Sequence, residues 1–277
     1  MDKPLLTQEN YYDDNYYMST SRFKNYITCE SRALAIDNGI WEENSDVPKA
    51  LILGNYVHTA FESDLVHQAF IEEHRGLIFK KNGLKYADFI LADDCIETLR
   101  NDTYFMEQYN GSQGDRVEKE LIVTGNLGGL DFKGKVDSIN LTKGYFVDLK
   151  TMRSIKQETF SPMLRQRVPQ VVFNIYEYLY HVQAYVYQQL LFQQEVDHFT
   201  PYIAAVSKEE YPDKEYIVLD DAVLDEGKQI FETHIERVRQ VFKGEVIPKP
   251  CGEYDYCRHE KILYKPVTLA DIVLKND

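Results

Sequence analysis

The sequence predicts an α/β protein with a mixed, mostly antiparallel central sheet flanked by helices. Two observations lead there. Residues 116–150 hold three strand-like stretches, RVEKELIVT, DFKGKVDSIN and GYFVDLK, separated by short turns, which read as an antiparallel meander. On both sides of them lie stretches whose apolar residues recur at helical spacing, and such helices cover the faces of a sheet.

The elements follow in order. Residues 1–18 are polar, tyrosine-rich and without a clear period, and are expected to be flexible. Residues 19–277 are expected to form a single domain. Ser19-Thr20-Ser21 offers hydroxyls to cap a first helix, with Phe23, Tyr26 and Ile27 on its apolar face and Cys29 near its end. Lys49 to His67 reads as a second helix, with Leu53, Val57, Ala60, Phe61 and Leu65 as its apolar stripe. Gly54 marks a packing contact, and His58 and Glu62 share a face one turn apart. A basic loop and a helix carrying Cys95 precede the meander, in which Gly125, Gly128 and Gly129 read as the first turn.

After the meander comes TMRSIKQETFSPMLRQRVPQ, the most basic stretch, with Arg153, Lys156, Arg165 and Arg167. It reads as a mobile loop over a phosphate backbone or as a solvated linker. Val171 to Gln194 reads as one long helix, in which Gln183 and Tyr187 share a face. Two strands, HFTPYIAAVSKE and EYIVLD, a helix from Asp221 to Phe242, and a segment containing Cys251 and Cys257 complete the chain.

Composition excludes several classes. No apolar run reaches the roughly 18 residues a membrane span needs. The acidic N-terminus has no apolar h-region, so it does not read as a signal peptide, and a cytoplasmic location is expected. The four cysteines are then expected to be thiols or metal ligands and not disulfides. A net charge of −14 argues against whole-surface binding to nucleic acid but leaves a local basic groove open. Some of the 21 tyrosines could stack on bases.

The central hairpin carries the chemistry. A turn centred between Thr142 and Lys143 places Asp137 across from Asp148, with Cβ atoms roughly 4.5–5.5 Å apart. Lys150 lies two residues beyond Asp148 and shares its face. Opposed like charges destabilise a strand pair, so a divalent cation is one reason to keep them. A salt-bridged surface hairpin is the other reading. Glu120 either points to the same place or faces solvent.

Four segments in this order resemble the PD-(D/E)XK nuclease superfamily, and within it the RecB-like and RecE-like exonuclease branch with its phage-type, exodeoxyribonuclease VIII-like members. STSRFKNYITCES resembles the branch's opening helix, GNYVHTAFE its G-x-x-x-H-x-x-x-E helix, GKVD with VDLKT its two acidic strands, and QAYVY its Q-x-x-x-Y helix. The resemblance implies a restriction-endonuclease-like core and a Mg²⁺- or Mn²⁺-dependent deoxyribonuclease in a bacterial cytosol or phage-infected host. His58, Asp137, Asp148 and the Leu149 backbone carbonyl would be metal ligands and Lys150 the catalytic lysine. Glu62, Glu120, Gln183 and Tyr187 would support the site or contact DNA. It implies an exonuclease at duplex DNA ends, working in recombination or repair beside a single-strand annealing partner and able to form a homo-oligomeric ring. The rival readings are an endonuclease, a trimming nuclease of the CRISPR-adaptation kind, and a non-catalytic DNA-binding or assembly module that keeps the fold.

Some members of this superfamily hold an iron–sulfur cluster on one cysteine before the nuclease core and three after it. Cys29, Cys251 and Cys257 occupy three such places, but Tyr254 stands where the fourth is expected. A cluster of this kind normally takes four thiolates, so none is expected here; a zinc remnant is the other reading, and it too is short of ligands.

Overall fold

The computed structural model describes residues 3–42, 49–195, 197–263 and 265–269. The two ends of the chain, 1–2 and 270–277, thus lie outside the described residues. Met18–Ser19 (β1) leads into Thr20–Thr28 (α1) and Glu30–Asp37 (α2). Lys49–Glu62 (α3), Asp64–Glu73 (α4), Arg75–Ile78 (α5), Ala87–Arg100 (α6) and Thr103–Asn110 (α7) follow. The meander is Val117–Leu127 (β2), Leu130–Asn140 (β3) and Tyr145–Met152 (β4). Then come Glu158–Ser161 (β5), Gln166–Pro169 (β6), Gln170–Glu177 (α8), Tyr180–Glu195 (α9), Thr200–Ser207 (β7), Lys214–Val218 (β8), Asp221–Phe242 (α10) and Asp255–His259 (α11).

The main sheet runs β1-β3-β4-β7-β8, with β2 also paired to β3. β2–β3, β3–β4 and β7–β8 are antiparallel, while β1–β3 and β4–β7 are parallel, so the sheet is mixed and mostly antiparallel as expected. β4 and β7 run parallel because α8 and α9 form the crossover that such a pair requires. One core cluster joins Phe23 of α1 and Val186 and Leu190 of α9 to Phe132 of β3 and to Phe231 and Val238 of α10. A second joins α3, α6 and α7 to Val147 and Leu149 of β4 and Val206 of β7. β4 is therefore covered on both faces, with Phe146 in the first cluster and Val147 and Leu149 in the second, and Asp148 and Lys150 are its charged residues.

Two close approaches hold this arrangement. A Cβ on Gly134 would lie 2.6 Å from the Tyr187 ring, so the glycine lets α9 settle onto β3. Gly144, at φ +70°, closes the β3–β4 turn in the left-handed region that favours glycine.

Several expected elements are divided. The helix read from Lys49 to His67 stops at Glu62, because Ser63 Oγ accepts from the Val66 N–H and starts α4. Leu65 consequently leaves the apolar stripe and is 78% exposed. The helix read from Val171 to Gln194 breaks at Leu179, whose φ is +53°, into α8 and α9. Gly125 continues β2, leaving Gly128-Gly129 as the turn. Within the basic stretch after β4, Glu158–Ser161 and Gln166–Pro169 form a hairpin with Phe160 paired to Arg167, while Arg153 and Lys156 lie in the irregular segment before it. Residues 3–17, read as flexible, lie against β2 and β3. Tyr11 and Tyr17 are buried, Gln8 Nε2 donates to the Glu120 carbonyl at 2.7 Å, and Lys133 Nζ donates to the Tyr11 and Asp14 carbonyls.

Candidate active site

β3 offers one edge to β2 from Leu130 to Asn140, with a break at Asp137. Its other edge is shared: Phe132 and Lys133 pair with β1, and Ser138, Ile139 and Asn140 pair with β4. Residues 134–137 lie between these partners, where β3 and β4 fork. The β3–β4 register is the one the turn predicts, with Ser138 opposite Val147 as the last pair. The next pair would be Asp137 with Asp148, but the ladder ends first. In place of a ladder bond, Asp137 Oδ2 accepts from the Leu149 N–H at 2.7 Å. The N–H and C=O of one strand residue point to the same edge, so the Leu149 carbonyl also faces the fork.

The polar groups converge here from four directions. His58 on α3 places Nδ1 3.3 Å from Asp137 Oδ2. Asp148 Oδ2 pairs with Lys150 Nζ at 2.6 Å. Gln183 on α9 donates to Asp148 Oδ1 at 3.0 Å. Glu120 stands in β2 between the pairs Lys119–Ser138 and Leu121–Val136, which puts it opposite Asp137. Its φ of +52° is uncommon for a residue with a side chain and interrupts the ladder at that point. Its buried carboxyl pairs with Lys135 at 2.9 Å. These residues and Glu62 line one groove of about 1050 Å³. Tyr187 lines it as well, but its ring is buried against Gly134, so it supports the wall.

Sequence reasoning missed four residues at or beside the groove: Tyr180, Lys24, Tyr11 and Tyr12. Tyr180, three residues before Gln183, has Lys150 Nζ 4.8 Å from its ring centroid and Lys24 Nζ 5.5 Å from it. Lys24 follows Thr20 by one helical turn, a spacing that could have exposed it. Tyr11 and Tyr12, from the segment expected to be flexible, line the groove too. Composition alone does not tell a packed tyrosine strap from a loose one.

Charge pairing sorts the titratable groups. Burial tends to lift the Asp137 carboxyl, but His58, Lys150 and the Leu149 amide outweigh it and hold it below its usual range. Burial lifts Asp148, and the nearby Asp137 charge adds to this, so it ends up raised despite Lys150. Burial tends to neutralise His58, yet Asp137 raises it overall. Burial works against the Lys150 charge, and Asp148 more than reverses it. Burial and the Asp137 charge push Glu120 up to about 7. Burial and the Lys150 charge bring Lys24 down to about 7.

An imidazole, two carboxylates and a strand carbonyl turned to one fork are donor types that a divalent cation takes, although among the described residues only the three cysteines bring three His, Cys, Asp or Glu ligand atoms within 4.8 Å of one another. The His58–Asp137 and Asp148–Lys150 contacts supply opposite charge to each carboxylate, which a cation would also do. A four-thiolate cluster, by contrast, does not fit. Cys29, Cys251 and Cys257 come together, while Cys95 is buried in α6 and its thiol donates to the Ser207 carbonyl.

Comparison with known proteins places this geometry. The crystal structure of a candidate exonuclease from Eubacterium rectale superposes with a TM-score of 0.83 and 31% identity, over 98% of each chain. A second solved chain, SSO0001, is 16% identical over 86% of this chain and 89% of its own; its TM-score of 0.30 carries no argument. None of the curated proteins matches. The family described as a PDDEXK-like domain of unknown function (DUF3799) matches residues 19–260. The fork between β3 and β4 is thus set in a PD-(D/E)XK-type core, and the chain belongs to that PDDEXK-like family.

Proposed function

We propose that this protein is a metal-dependent deoxyribonuclease, and more closely an exonuclease that hydrolyses phosphodiester bonds at duplex DNA ends during recombination or repair. The observation that carries this reading is the convergence of His58, Asp137, Asp148 and Lys150 on one open fork lining a groove. The family membership and the exonuclease name of the similar Eubacterium rectale protein support it.

His58, Asp137, Asp148 and the Leu149 carbonyl would hold Mg²⁺ or Mn²⁺, the imidazole favouring Mn²⁺. The ion would supply positive charge to the scissile phosphate and acidify a nearby water. Lys150 stands 2.6 Å from Asp148 and would orient the water or offset charge growing on the phosphate. Gln183 fixes the Asp148 carboxylate from behind. The N-terminus of α1, with Ser19 and Thr20 on the groove, offers amide N–H groups to a neighbouring phosphate. A single-strand annealing partner and a ring-shaped assembly accompany the exonuclease reading.

Digestion of end-labelled linear duplex and closed circular duplex, with Mg²⁺, Mn²⁺ or EDTA, tests this. Loss of the linear form alone, in either ion and not in EDTA, is expected. Cleavage of the closed circle would make the protein an endonuclease, and inertness toward both DNAs would contradict the reading.

A further inference from the structure

Far from the fork in sequence, three thiols meet. Cys29 sits between α1 and α2, where it ends one helix and starts the next. Cys257 lies in α11, and Cys251 lies just before it. Cys29 Sγ is 3.3 Å from Cys257 Sγ, and Cys251 Sγ is 3.7 Å from Cys257 Sγ. All three sulfurs lie within 4.8 Å of one another. Cys29 and Cys257 are buried, while Cys251 is exposed.

We propose that Cys29, Cys251 and Cys257 form a three-thiolate site for a single Zn²⁺ ion, which fastens the C-terminal segment to the first two helices. The spacing decides between candidates. Zinc binds thiolate at roughly 2.3 Å, so a tetrahedral ion holds its sulfurs about 3.8 Å apart. Two sides of the observed triangle are 3.3 and 3.7 Å and the third is at most 4.8 Å, which brackets that length. A four-iron cluster takes four thiolates and distributes them over several irons. The fourth cysteine of this chain, Cys95, is committed to Ser207 in another part of the core.

Backbone groups favour a sulfur anion at Cys251, while burial lifts the Cys29 thiol to about 11, so a metal would have to displace that proton. The Glu253 N–H donates to Cys251 Sγ at 3.3 Å, the kind of backbone bond that stabilises a thiolate. Cys29 occupies the N-cap of α2, where the helix dipole favours negative charge. The exposed Cys251 leaves the fourth coordination position open to water. Binding releases the three thiol protons and cross-links positions 29 and 257, more than two hundred residues apart in sequence. The same ends are already held together by polar contacts. Glu30 pairs with Arg237 at 2.7 Å and accepts from the Lys249 N–H at 2.8 Å, and the Arg32 guanidinium stacks over the Tyr254 ring at 4.4 Å. The ion would complete a clamp whose protein parts are in place.

Elemental analysis of the full-length protein, purified under reducing conditions without chelator, tests the site. About one zinc per chain is expected, with zinc content lost in Cys251→Ser, the exposed position least able to disturb folding. Cys29→Ser should lose it as well. Cobalt substitution of the parent protein should show thiolate-to-cobalt charge-transfer absorption, which Cys251→Ser abolishes. Limited proteolysis should then cut the 245–260 region faster in the zinc-free protein. Iron with inorganic sulfide, copper in place of zinc, or a metal-free protein whose three thiols all react with a thiol reagent or form a disulfide would overturn the proposal.

Discussion

The Leu149 N–H donates to Asp137 Oδ2 at 2.7 Å, so a side chain of β3 takes the place of the ladder carbonyl that β4 would otherwise meet. Leu149 follows Asp148 directly, and this one bond therefore sets where the second acid stands relative to the first.

Asp137→Asn and Asp137→Ala should consequently differ. Asparagine keeps an acceptor for the amide but loses the charge. Cleavage and Mn²⁺ binding should fall while unfolding free energy stays near the parent's. Alanine leaves a buried N–H without a partner and should cost about 1–3 kcal/mol more. Urea unfolding without metal makes the comparison, and equal stability of the two variants would contradict the role given to this bond.

Gln183 touches Asp148 and no reacting atom, so it is a positioning residue. Gln183→Ala should weaken Mn²⁺ affinity by roughly 10–100-fold, the usual effect of removing a partner that orients a ligand. The melting temperature of the metal-free protein should change little. Calorimetric titration with Mn²⁺ reads the affinity, and an unchanged value refutes the positioning role.

Lys24 predicts a pH dependence of stability. Its pKa in the fold is about 7, below the ordinary 10.5, so the unfolded chain binds more protons between those values. Stability contributed by Lys24 therefore rises as pH climbs from about 7 toward 10.5, and burial of its charge costs most below about 7. Lys24→Met should stabilise the protein at pH near 7 and lose that advantage as pH approaches 10. Denaturant unfolding of parent and variant across this window checks it. An advantage that does not vary with pH would mean that Lys24 is not titrating there.

Much of this site was legible in the sequence, for physical reasons. Alternation fixes which side chains share a strand face, and Gly144 marks the turn, so the β3–β4 register followed from counting. The spacing of His58 from Glu62 and of Gln183 from Tyr187 placed each pair on one helical face. Other features depend on tertiary contacts. Leu179 breaks a helix that its neighbours favour, and Ser63 caps α4 inside an apparently continuous apolar stripe. The fork itself is invisible locally, because it arises when β1 and β4 divide one edge of β3. The tyrosine strap of residues 3–17 is polar enough to read as loose, yet Lys133 holds it through backbone carbonyls.

The β5–β6 hairpin offers a test of how DNA is held. Arg153 and Arg165 are exposed in and beside it, on a chain whose net charge is −14. If they neutralise phosphates, Arg153→Ala and Arg165→Ala should each lower the slope of log affinity against log salt by about 1. Fluorescence anisotropy with labelled duplex in Ca²⁺ or EDTA reads it across a salt series. Slopes identical to the parent's would remove the hairpin from the DNA path.

The turnover of Lys150→Ala on linear duplex at saturating Mn²⁺, measured beside its Mn²⁺ affinity, tests most directly whether the fork is catalytic. Lys150 carries a charge beside Asp148 without being a ligand. Turnover should fall by roughly 10²–10³, the range for one preorganised electrostatic stabiliser, with Mn²⁺ binding and fold retained. Asp148→Ala in the same assay should lose Mn²⁺ binding as well. Full cleavage by Lys150→Ala would contradict the catalytic assignment of the fork.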